Sequence, residues 1–245
     1  MKLNIVNIKN ENVALVSIVN NNKQQLTVDA NFLIPPDRSE EVKQGIIRAY
    51  SFEKFKSIWI EPLLTTFSNI TIHEAVYGEL HSYSHTYIYT ELKEPTPRIT
   101  VLEDSKLTEP EKIVRDTIEE KIAKNTQYNP VIDNKDDRGE VKSLAYIATK
   151  GLPYFCSHDS NAIRLIEKAD ELDTNLQAVG AVKTYEIIYY LLRAGKGNAE
   201  GLRSMYRYMY HLTKSDKAVN PAWGEFVEQM DKLYKDYIDS VLSEK

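Results

Sequence analysis

Short apolar runs alternate with longer stretches of helical spacing through the middle of this chain. Residues 26–34 (LTVDANFLI) form an apolar run that Asp29 interrupts, and residues 152–157 (LPYFCS) form another that leads to Asp159. Residues 176–182 (LQAVGAV) are strand-like as well. Runs of this length, separated by helical segments, are typical of buried parallel strands. The pattern therefore predicts an α/β fold with a central, mainly parallel sheet flanked by helices.

Between these runs, apolar residues recur at the intervals expected for one face of a helix. The helices predicted on this basis cover residues 39–50, 52–67, 108–125, 138–150 and 160–172. Residues 70–83 predict a short extended piece that enters a helix, in which Glu79 lies next to the apolar stripe of Val76, Leu80 and Tyr83. Residues 84–107 predict an irregular or hairpin-like excursion around the β-like segment RITVL.

The two ends of the chain differ from this middle part. Residues 3–19 contain two β-rich runs around a polar turn and predict a β-hairpin. After residue 182, three helical stretches are separated by breaks at residues 195–197 and 214–221. We therefore expect an N-terminal β-hairpin elaboration at residues 1–25, an α/β domain at 26–182 and a C-terminal helical extension, packed on the core, at 183–245.

Composition and charge narrow the setting of this fold. The chain of 245 residues suffices for one good core. The sole cysteine, Cys156, cannot form an intramolecular disulfide, and no window approaches the roughly 20 apolar residues of a membrane-spanning helix. The first residues are also too polar for a signal-peptide core. We expect a cytoplasmic protein that does not enter a membrane.

The formal net charge of -5 disfavours a surface that grips nucleic acid throughout. A carboxylate cluster that binds cations, however, concentrates negative charge in one place, and the bound metals then reverse its sign. The charge therefore weakens a nucleic-acid-binding interpretation without excluding it.

Acidic residues occupy the places where an α/β sheet binds its ligands. Asp29 interrupts the first sheet strand, Asp159 closes a later one, and Glu79 and Glu140 lie on predicted helices. Ligands of open parallel sheets bind at the carboxyl ends of the strands. Oxygen ligands suit hard cations such as Mg²⁺ and Mn²⁺. Each acid alone also fits a solvated surface or a helix start, so the joint pattern carries the metal-site prediction.

These residues stand in segments that resemble the motifs of PIN-domain nucleases. LTVDANFLI resembles the first motif, ITIHEAVYGEL the second, and DRGEVKSLAYIATKGLPYFCSHDSNAI the third and fourth together. The resemblance covers roughly residues 26–182 and implies a PIN-like three-layer fold. It also implies divalent-metal-dependent hydrolysis of phosphodiester bonds, generally in RNA. His158 departs from the pattern, because it makes the interval from Gly151 to Asp159 one residue longer than is usual.

The resemblance also assigns roles residue by residue. The metal-binding and catalytic quartet would be Asp29, Glu79, Glu140 and Asp159. The auxiliary residues would be Asn31, Ser157, Asp137 and Asn161, with Asp136 beside them. Many bacterial PIN proteins are toxins or defence nucleases, which implies an antitoxin or another protein partner. Self-association into a homo-oligomer is a separate expectation.

A basic segment follows the predicted α/β domain. Between Arg193 and Lys217, lysine and arginine outnumber acids and are interleaved with tyrosines. Such a segment can steer the RNA backbone and stack bases, and the candidate substrate-binding residues are Arg193, Lys196, Arg203, Arg207 and Tyr206. The alternative is a helix that buries its tyrosines and methionines on one face and exposes its arginines on the other.

Other chemistries have less support in the sequence. His81 and His85 are four residues apart, but the histidines lack a convincing zinc spacing. Cys156 fits a small core residue, and no glycine-rich phosphate loop is present. Two functional alternatives stay open beside the endoribonuclease: a non-catalytic RNA-binding or assembly module with the same fold, and a DNA or flap nuclease with the same carboxylate chemistry.

Overall fold

One five-stranded sheet organises the computed structural model, which describes residues 4–45 and 47–243. Residue 46, inside the predicted helix 39–50, and residues 1–3 and 244–245, at the two ends, lie outside the described residues. The strands are β1 Leu26–Val28, β2 Ile70–His73, β3 Ile99–Leu102, β4 Tyr154–Ser157 and β5 Gly180–Lys183. All neighbouring strands are parallel, in the order β3-β2-β1-β4-β5. The predicted α/β class is confirmed.

Helices connect and flank the strands. They are α1 Val13–Asn20, α2 Ser39–Lys43, α3 Phe52–Phe55, α4 Glu61–Thr66, α5 Glu74–Glu79, α6 Ser82–Glu91, α7 Glu109–Ala123, α8 Arg138–Lys150, α9 Ser160–Glu167, α10 Ala169–Leu172, α11 Thr184–Arg193, α12 Ala199–Tyr210, α13 Lys214–Val219 and α14 Trp223–Ser243. A π-helical segment, Lys56–Ile60, joins α3 to α4, and 3-10 turns occur at Ala30–Phe32 and Asp104–Lys106.

Both faces of the sheet are covered by helices. In β4, Tyr154 and Cys156 pack into the core that contains α1, α4, α11 and α14, whereas Phe155 packs into the core that contains α7, α8 and α9. Neighbouring residues of β5 divide in the same way, with Val182 on the first side and Ala181 on the second. Because successive side chains of a strand point to opposite faces, the sheet is the middle of three layers.

The order of the strands places a crevice at the middle of the sheet. The chain runs from β1 outward through β2 to β3, and then returns to place β4 on the other side of β1. The direction of winding thus reverses between β1 and β4. In open α/β sheets, ligands bind at this point, beyond the carboxyl ends of the strands.

The N-terminal segment was predicted wrongly. Instead of a β-hairpin at residues 3–19, the chain forms helix α1, and the described residues before it contain no strand. The side chain of Asn12 accepts a hydrogen bond from the backbone N–H of Ala14, which caps the helix. Leu15 and Ile18 of this helix are fully buried in the hydrophobic core that it shares with the sheet. Tertiary burial therefore overrides the local β-propensity of these residues.

Residues 84–107 were also predicted wrongly, because they contain α6 and the edge strand β3 rather than an irregular or hairpin-like excursion. Strand β3 pairs in parallel with β2, so that Ile99 lies opposite Ile70. Ile99 is buried, Thr100 is exposed, and Leu102 packs against the core on the side of α7 and α8. The β-like segment RITVL does contain this strand, but an alternation of four residues is too short to show that it joins the central sheet.

Several other boundaries shift. Strand β1 ends at Val28, so that residues 30–32 form a 3-10 turn instead of continuing the predicted strand 26–34. The predicted helix 39–50 is confirmed only at Ser39–Lys43. The helix predicted within 70–83 stops at Glu79. Tyr83 lies in the first turn of α6 with an exposed side chain instead of joining an apolar stripe. Strand β5 begins at Gly180, later than residue 176.

The C-terminal helices belong to the core of the molecule. Phe226 and Ile238 of α14 are fully buried in the same hydrophobic cluster as Val28 of the sheet and Leu15 of α1. The predicted helical tail and its packing on the core are thus found, whereas the domain boundaries at residues 25 and 182 stay predictions. Within the described ranges, every helix is too short or too polar to cross a membrane.

Candidate metal centre

A crevice opens at the carboxyl ends of β1 and β4, where the winding of the sheet reverses. It encloses a cavity of about 380 Å³. The residues that line it include Asp29, Asn31, Glu79, Lys135, Asp137, Glu140, His158 and Asp159. The structure therefore brings the four predicted acids to one crevice, and their role as metal ligands stays a prediction.

Asp29 lies at the inner end of this crevice, directly after β1. Its Oδ1 accepts a hydrogen bond of 2.7 Å from the backbone N–H of Ala30, and its Oδ2 accepts one of 2.8 Å from Ser157 Oγ and another from Asn31 Nδ2. Burial raises the pKa of Asp29 to about 6, and the negative charge of Asp159 adds to the rise, while the hydrogen bonds oppose it. The hydrogen bonds thus hold Asp29 in place, while burial destabilises its ionised form.

Asp159 follows β4 and caps helix α9. Its Oδ1 accepts a hydrogen bond of 2.6 Å from the backbone N–H of Asn161, while its own N–H donates to Ser157 Oγ at 2.9 Å. The Asn161 side chain in turn donates to Glu140 Oε1 at 3.1 Å and accepts from Arg164 at 2.7 Å. The predicted auxiliary residues therefore connect the acids by hydrogen bonds. Ser157 connects Asp29 with Asp159, and Asn161 connects Asp159 with Glu140.

Glu79 reaches the crevice from the end of α5. Its Oε1 accepts a hydrogen bond of 2.8 Å from the backbone N–H of Gly139, in the first turn of α8. A Cβ atom at residue 139 would lie 2.3 Å from that oxygen, so only glycine allows this approach. Although the side chain of Glu79 is open to solvent on one side, partial burial raises its pKa to about 7, and the charge of Asp29 adds to the rise.

Glu140 and Asp137 approach from the start of α8. Glu140 is buried, and it belongs to the hydrogen-bonded group of Asn161. Asp137 has a left-handed backbone, with φ of 54°, and its Oδ2 accepts a hydrogen bond of 2.9 Å from the backbone N–H of Gln127. Asp137 thus lines the cavity and also holds the loop before α8, while Asp136 contacts Asn134 and does not line the cavity.

Sequence reasoning missed three contributors to this crevice. Gly139 sets the position of Glu79, and the only signal for it was a glycine directly before the acid in the helix start. Lys135 is the one lysine or arginine among the described residues that line the cavity, and His158 lines its far side. Lys135 had no distinguishing spacing, and His158 was noted only because it lengthens the interval from Gly151 to Asp159. Both come from loops whose paths depend on the packing around them.

The carboxylate oxygens of the four acids lie farther apart than the ligand atoms around a bound ion. Among the described residues, only His73, Glu74 and Asp104 bring three ligand atoms within 4.8 Å of one another. That trio has a structural explanation: His73 Nδ1 accepts from the N–H of Ala75, so its other nitrogen is protonated and pairs with Asp104 at 3.2 Å. The quartet is an all-oxygen set spread around a wider cavity.

Even so, the residues of the crevice fit a divalent cation. Its carboxylates repel one another, and burial disfavours their ionised forms at Asp29 and Glu79. A cation relieves both effects at once. Oxygen ligands alone favour Mg²⁺ or Mn²⁺ over softer metals.

One predicted substrate-binding residue was wrong. Tyr206 is fully buried, its hydroxyl donates to the Pro221 carbonyl at 2.8 Å, and its ring stacks on Phe226. It is therefore inaccessible to a nucleobase. Arg193 is occupied by an ion pair with Asp231.

The remaining residues of the basic segment divide as the alternative interpretation predicted. Helix α12 buries Tyr208 and Tyr210 and exposes Arg203 and Arg207, and Lys196 is exposed just before it. None of the five candidates lines the cavity of the candidate metal centre. Cys156 is buried in the core, as expected, and burial raises the pKa of its thiol far above its usual range.

Comparisons with known proteins add no relative to this picture. No family model matches the chain, and no curated protein or solved structure matches it either. Support for a function of this chain therefore comes from the geometry of the crevice and from its position in the fold.

Proposed function

We propose that this chain is a divalent-metal-dependent nuclease with a PIN-like fold, which hydrolyses phosphodiester bonds in RNA. Asp29, Glu79, Glu140 and Asp159 would hold one or two Mg²⁺ or Mn²⁺ ions in the crevice. The observation that carries the proposal is the position of Asp29 and Asp159. They follow the adjacent strands β1 and β4, at the point where the winding reverses, and the two carboxylates interact unfavourably there.

The chain's own groups prepare this crevice for a cation. Ser157 and Asn31 donate hydrogen bonds to the same oxygen of Asp29, which fixes the direction of that carboxylate. Asn161 does the same for Glu140. When bound, a divalent cation activates water as a nucleophile and neutralises charge on the phosphate that is attacked. The hydrogen bonds from Ser157, Asn31 and Asn161 keep the carboxylates in position, although the carboxylates repel one another.

The test compares cleavage of a mixed RNA pool, single-stranded and structured, in Mn²⁺ or Mg²⁺. Wild type should cleave, and folded Asp29→Asn and Asp159→Asn proteins should not, because each change removes a charged ligand. Asp170→Asn is the matched control, since Asp170 is exposed on α10, away from the crevice. Failure of folded wild type to cleave RNA or matched DNA in either metal contradicts the proposal.

A second candidate is a non-catalytic RNA-binding or assembly module with the same fold. It is favoured by the spacing of the acids, since no three of their ligand atoms lie within 4.8 Å among the described residues. This module should bind RNA in the presence of a chelator and cleave nothing. A DNA or flap nuclease would instead prefer the matched DNA substrate in the same assay.

The biological role that we propose is that of a toxin or defence nuclease, restrained by an antitoxin or another protein partner. It depends on analogy with bacterial PIN proteins. Expression of wild type without a partner should arrest growth, and Asp29→Asn should relieve the arrest. Normal growth at a high level of active wild-type protein contradicts this role.

A further inference from the structure

A second cleft adjoins the metal centre on the side of β4 and β5. Its cavity has a volume of about 420 Å³, and His158 lines both this cavity and that of the metal centre. We call it the basic cleft and define it by His158, Arg164, Lys168, Lys183, Ile5 and Ile163. A chain that entered the metal centre could therefore continue into the basic cleft without leaving the surface.

The two neighbouring clefts have opposite charge. Six acids line the metal centre against the single cation Lys135, whereas Arg164, Lys168 and Lys183 line the basic cleft against the single acid Glu167. Lys183 pairs with Glu167 at 2.6 Å and Lys168 with Glu171 at 2.8 Å, while Arg164 has no acidic partner among the described residues and so gives the cleft an excess of positive charge. In a chain with a net charge of -5, this local excess of positive charge needs an explanation.

The residue between the clefts has an unused hydrogen-bonding group. His158 Nδ1 is buried and has no hydrogen-bond partner among the described residues. Its backbone N–H donates to Asn31 Oδ1 at 3.3 Å, so the residue is held at the boundary of the metal centre. Buried polar nitrogens are almost always paired, so this nitrogen is an unsatisfied group at the boundary between the two clefts.

The remaining lining of the basic cleft suits a nucleotide better than a simple anion. Ile5 is largely exposed, and Ile163 is half-buried beside the cations. Together they offer apolar surface to a ribose or base. Arg164 and Lys168 offer charge to a phosphate, because the pair of Lys168 with Glu171 is exposed to solvent and such pairs are weak. Lysine and arginine that neutralise phosphates supply most of the sequence-independent affinity for nucleic acids.

We propose that the basic cleft binds the phosphodiester group next to the scissile one in a single strand of RNA, and so sets the direction in which the strand crosses the metal centre. This inference rests on the proposed nuclease function. The acidic metal centre provides the chemistry, and the basic cleft provides the charge that attracts the polyanion to it. A protein partner with acidic side chains is the other occupant that the test must distinguish.

The test measures binding of a short fluorescent single-stranded RNA of mixed sequence by fluorescence anisotropy, across a series of salt concentrations. All proteins carry Asp29→Asn so that the probe is not cleaved. Lys168→Ala and Lys183→Ala should each weaken binding and reduce the slope of log affinity against log salt by about 0.7, the value per phosphate contact in single strands. Lys168→Arg and Lys183→Arg should restore most of that slope.

Lys232→Ala is the matched control, because Lys232 also forms an exposed pair with a glutamate on a helix, but it lies on α14 outside both clefts. An unchanged salt slope in the two basic-cleft variants, or an equal change in Lys232→Ala, overturns the inference. If wild type cleaves RNA while the slopes stay unchanged, the nuclease proposal survives and the RNA subsite does not. If wild type neither binds nor cleaves RNA, the proposed function fails.

Discussion

At residue 139, a hydrogen atom in place of a side chain decides where a carboxylate of the candidate metal centre lies. Gly139 donates its backbone N–H to Glu79 and leaves no room for a Cβ atom. The atoms that such a Cβ would meet belong to the far end of the flexible Glu79 side chain. A larger residue would therefore move the carboxylate rather than disrupt the core.

We predict that Gly139→Ala lowers the affinity for Mn²⁺ on the order of tenfold, as loss of an outer contact to a ligand does. The midpoint of thermal unfolding should change little, because alanine favours the helix. Gly78→Ala is the control: Gly78 lies in α5 close to Glu79, and a Cβ there meets nothing within 4 Å. Isothermal titration of both variants with Mn²⁺ checks the prediction, which fails if they bind equally well.

Asp29 makes the stability of the metal-free protein depend on pH. Its pKa rises from 3.8 to about 6 on folding, chiefly through burial. The folded protein therefore binds more protons than the unfolded chain between these values, and the free energy of unfolding falls as the pH rises through them.

In metal-free buffer, Asp29→Asn should gain stability relative to wild type on the order of 2 kcal/mol between pH 4 and pH 7. Urea unfolding at a series of pH values measures this difference. Asp170→Asn should follow wild type, because Asp170 is exposed. A wild-type curve parallel to that of Asp29→Asn would contradict the raised pKa, and added Mn²⁺ should stabilise wild type at pH 7 by binding the ionised form.

At the scale of elements, a polar residue of the predicted hairpin turn caps helix α1 instead. The Asn12 side chain caps α1, and its Nδ2 also donates to the carbonyl of Ala181 in β5 at 2.8 Å and to Glu186 at 2.9 Å. Glu186 is buried, and burial raises its pKa. One asparagine therefore connects the N-terminal helix, the edge strand β5 and helix α11.

Asn12→Ala should lower the free energy of unfolding by about 2 kcal/mol, because it removes a cap and one hydrogen bond each from the Ala181 carbonyl and the buried Glu186. Asn198→Ala is the control, since Asn198 caps α12 through a single bond to the N–H of Gly201. That variant should lose about 1 kcal/mol. Equal losses in urea unfolding would mean that the contacts of Asn12 with β5 and α11 contribute nothing.

Prediction of elements from the sequence succeeded where the pattern was long or fully apolar. Helix α8 was predicted at residues 138–150 and found there, because its apolar face spans several turns and Gly151 ends it in the left-handed conformation. The segment of β3 was recognised as β-like but was assigned to a hairpin-like excursion, because one buried isoleucine in a short edge strand does not show that it joins the central sheet. The segment of α1 was misread, because its β-branched residues favour a strand until burial of Leu15 and Ile18 is counted.

At the scale of the whole molecule, the C-terminal helices and the sheet share one hydrophobic cluster. Phe226 is fully buried, and its ring packs against Tyr185, Tyr206 and Trp223. Residues of the predicted C-terminal extension thus lie in the same core as those of the predicted α/β domain. We expect the two to unfold together.

Phe226→Ala should lower the free energy of unfolding by about 3 to 5 kcal/mol, through lost burial and the cavity that remains. Circular dichroism and tryptophan fluorescence should show one coincident transition, since Trp59 and Trp223 report from different parts of that core. Leu242→Ala, at a partly exposed position of α14, should change little. Two separate transitions in the Phe226→Ala protein would show that the extension is an independent unit.

The sequence by itself determined the class of fold and the acids to be considered. Apolar runs that end in Asp29 and Asp159 are local patterns, and local patterns are enough to place carboxylates at strand ends. The tertiary structure decided which groups surround them. The winding of β1 and β4 sets Asp29 beside Ser157, Gly139 admits Glu79, and packing buries Tyr206. The physical reason is that burial, and the pKa shifts that follow from it, depend on residues distant in sequence, which no local pattern records.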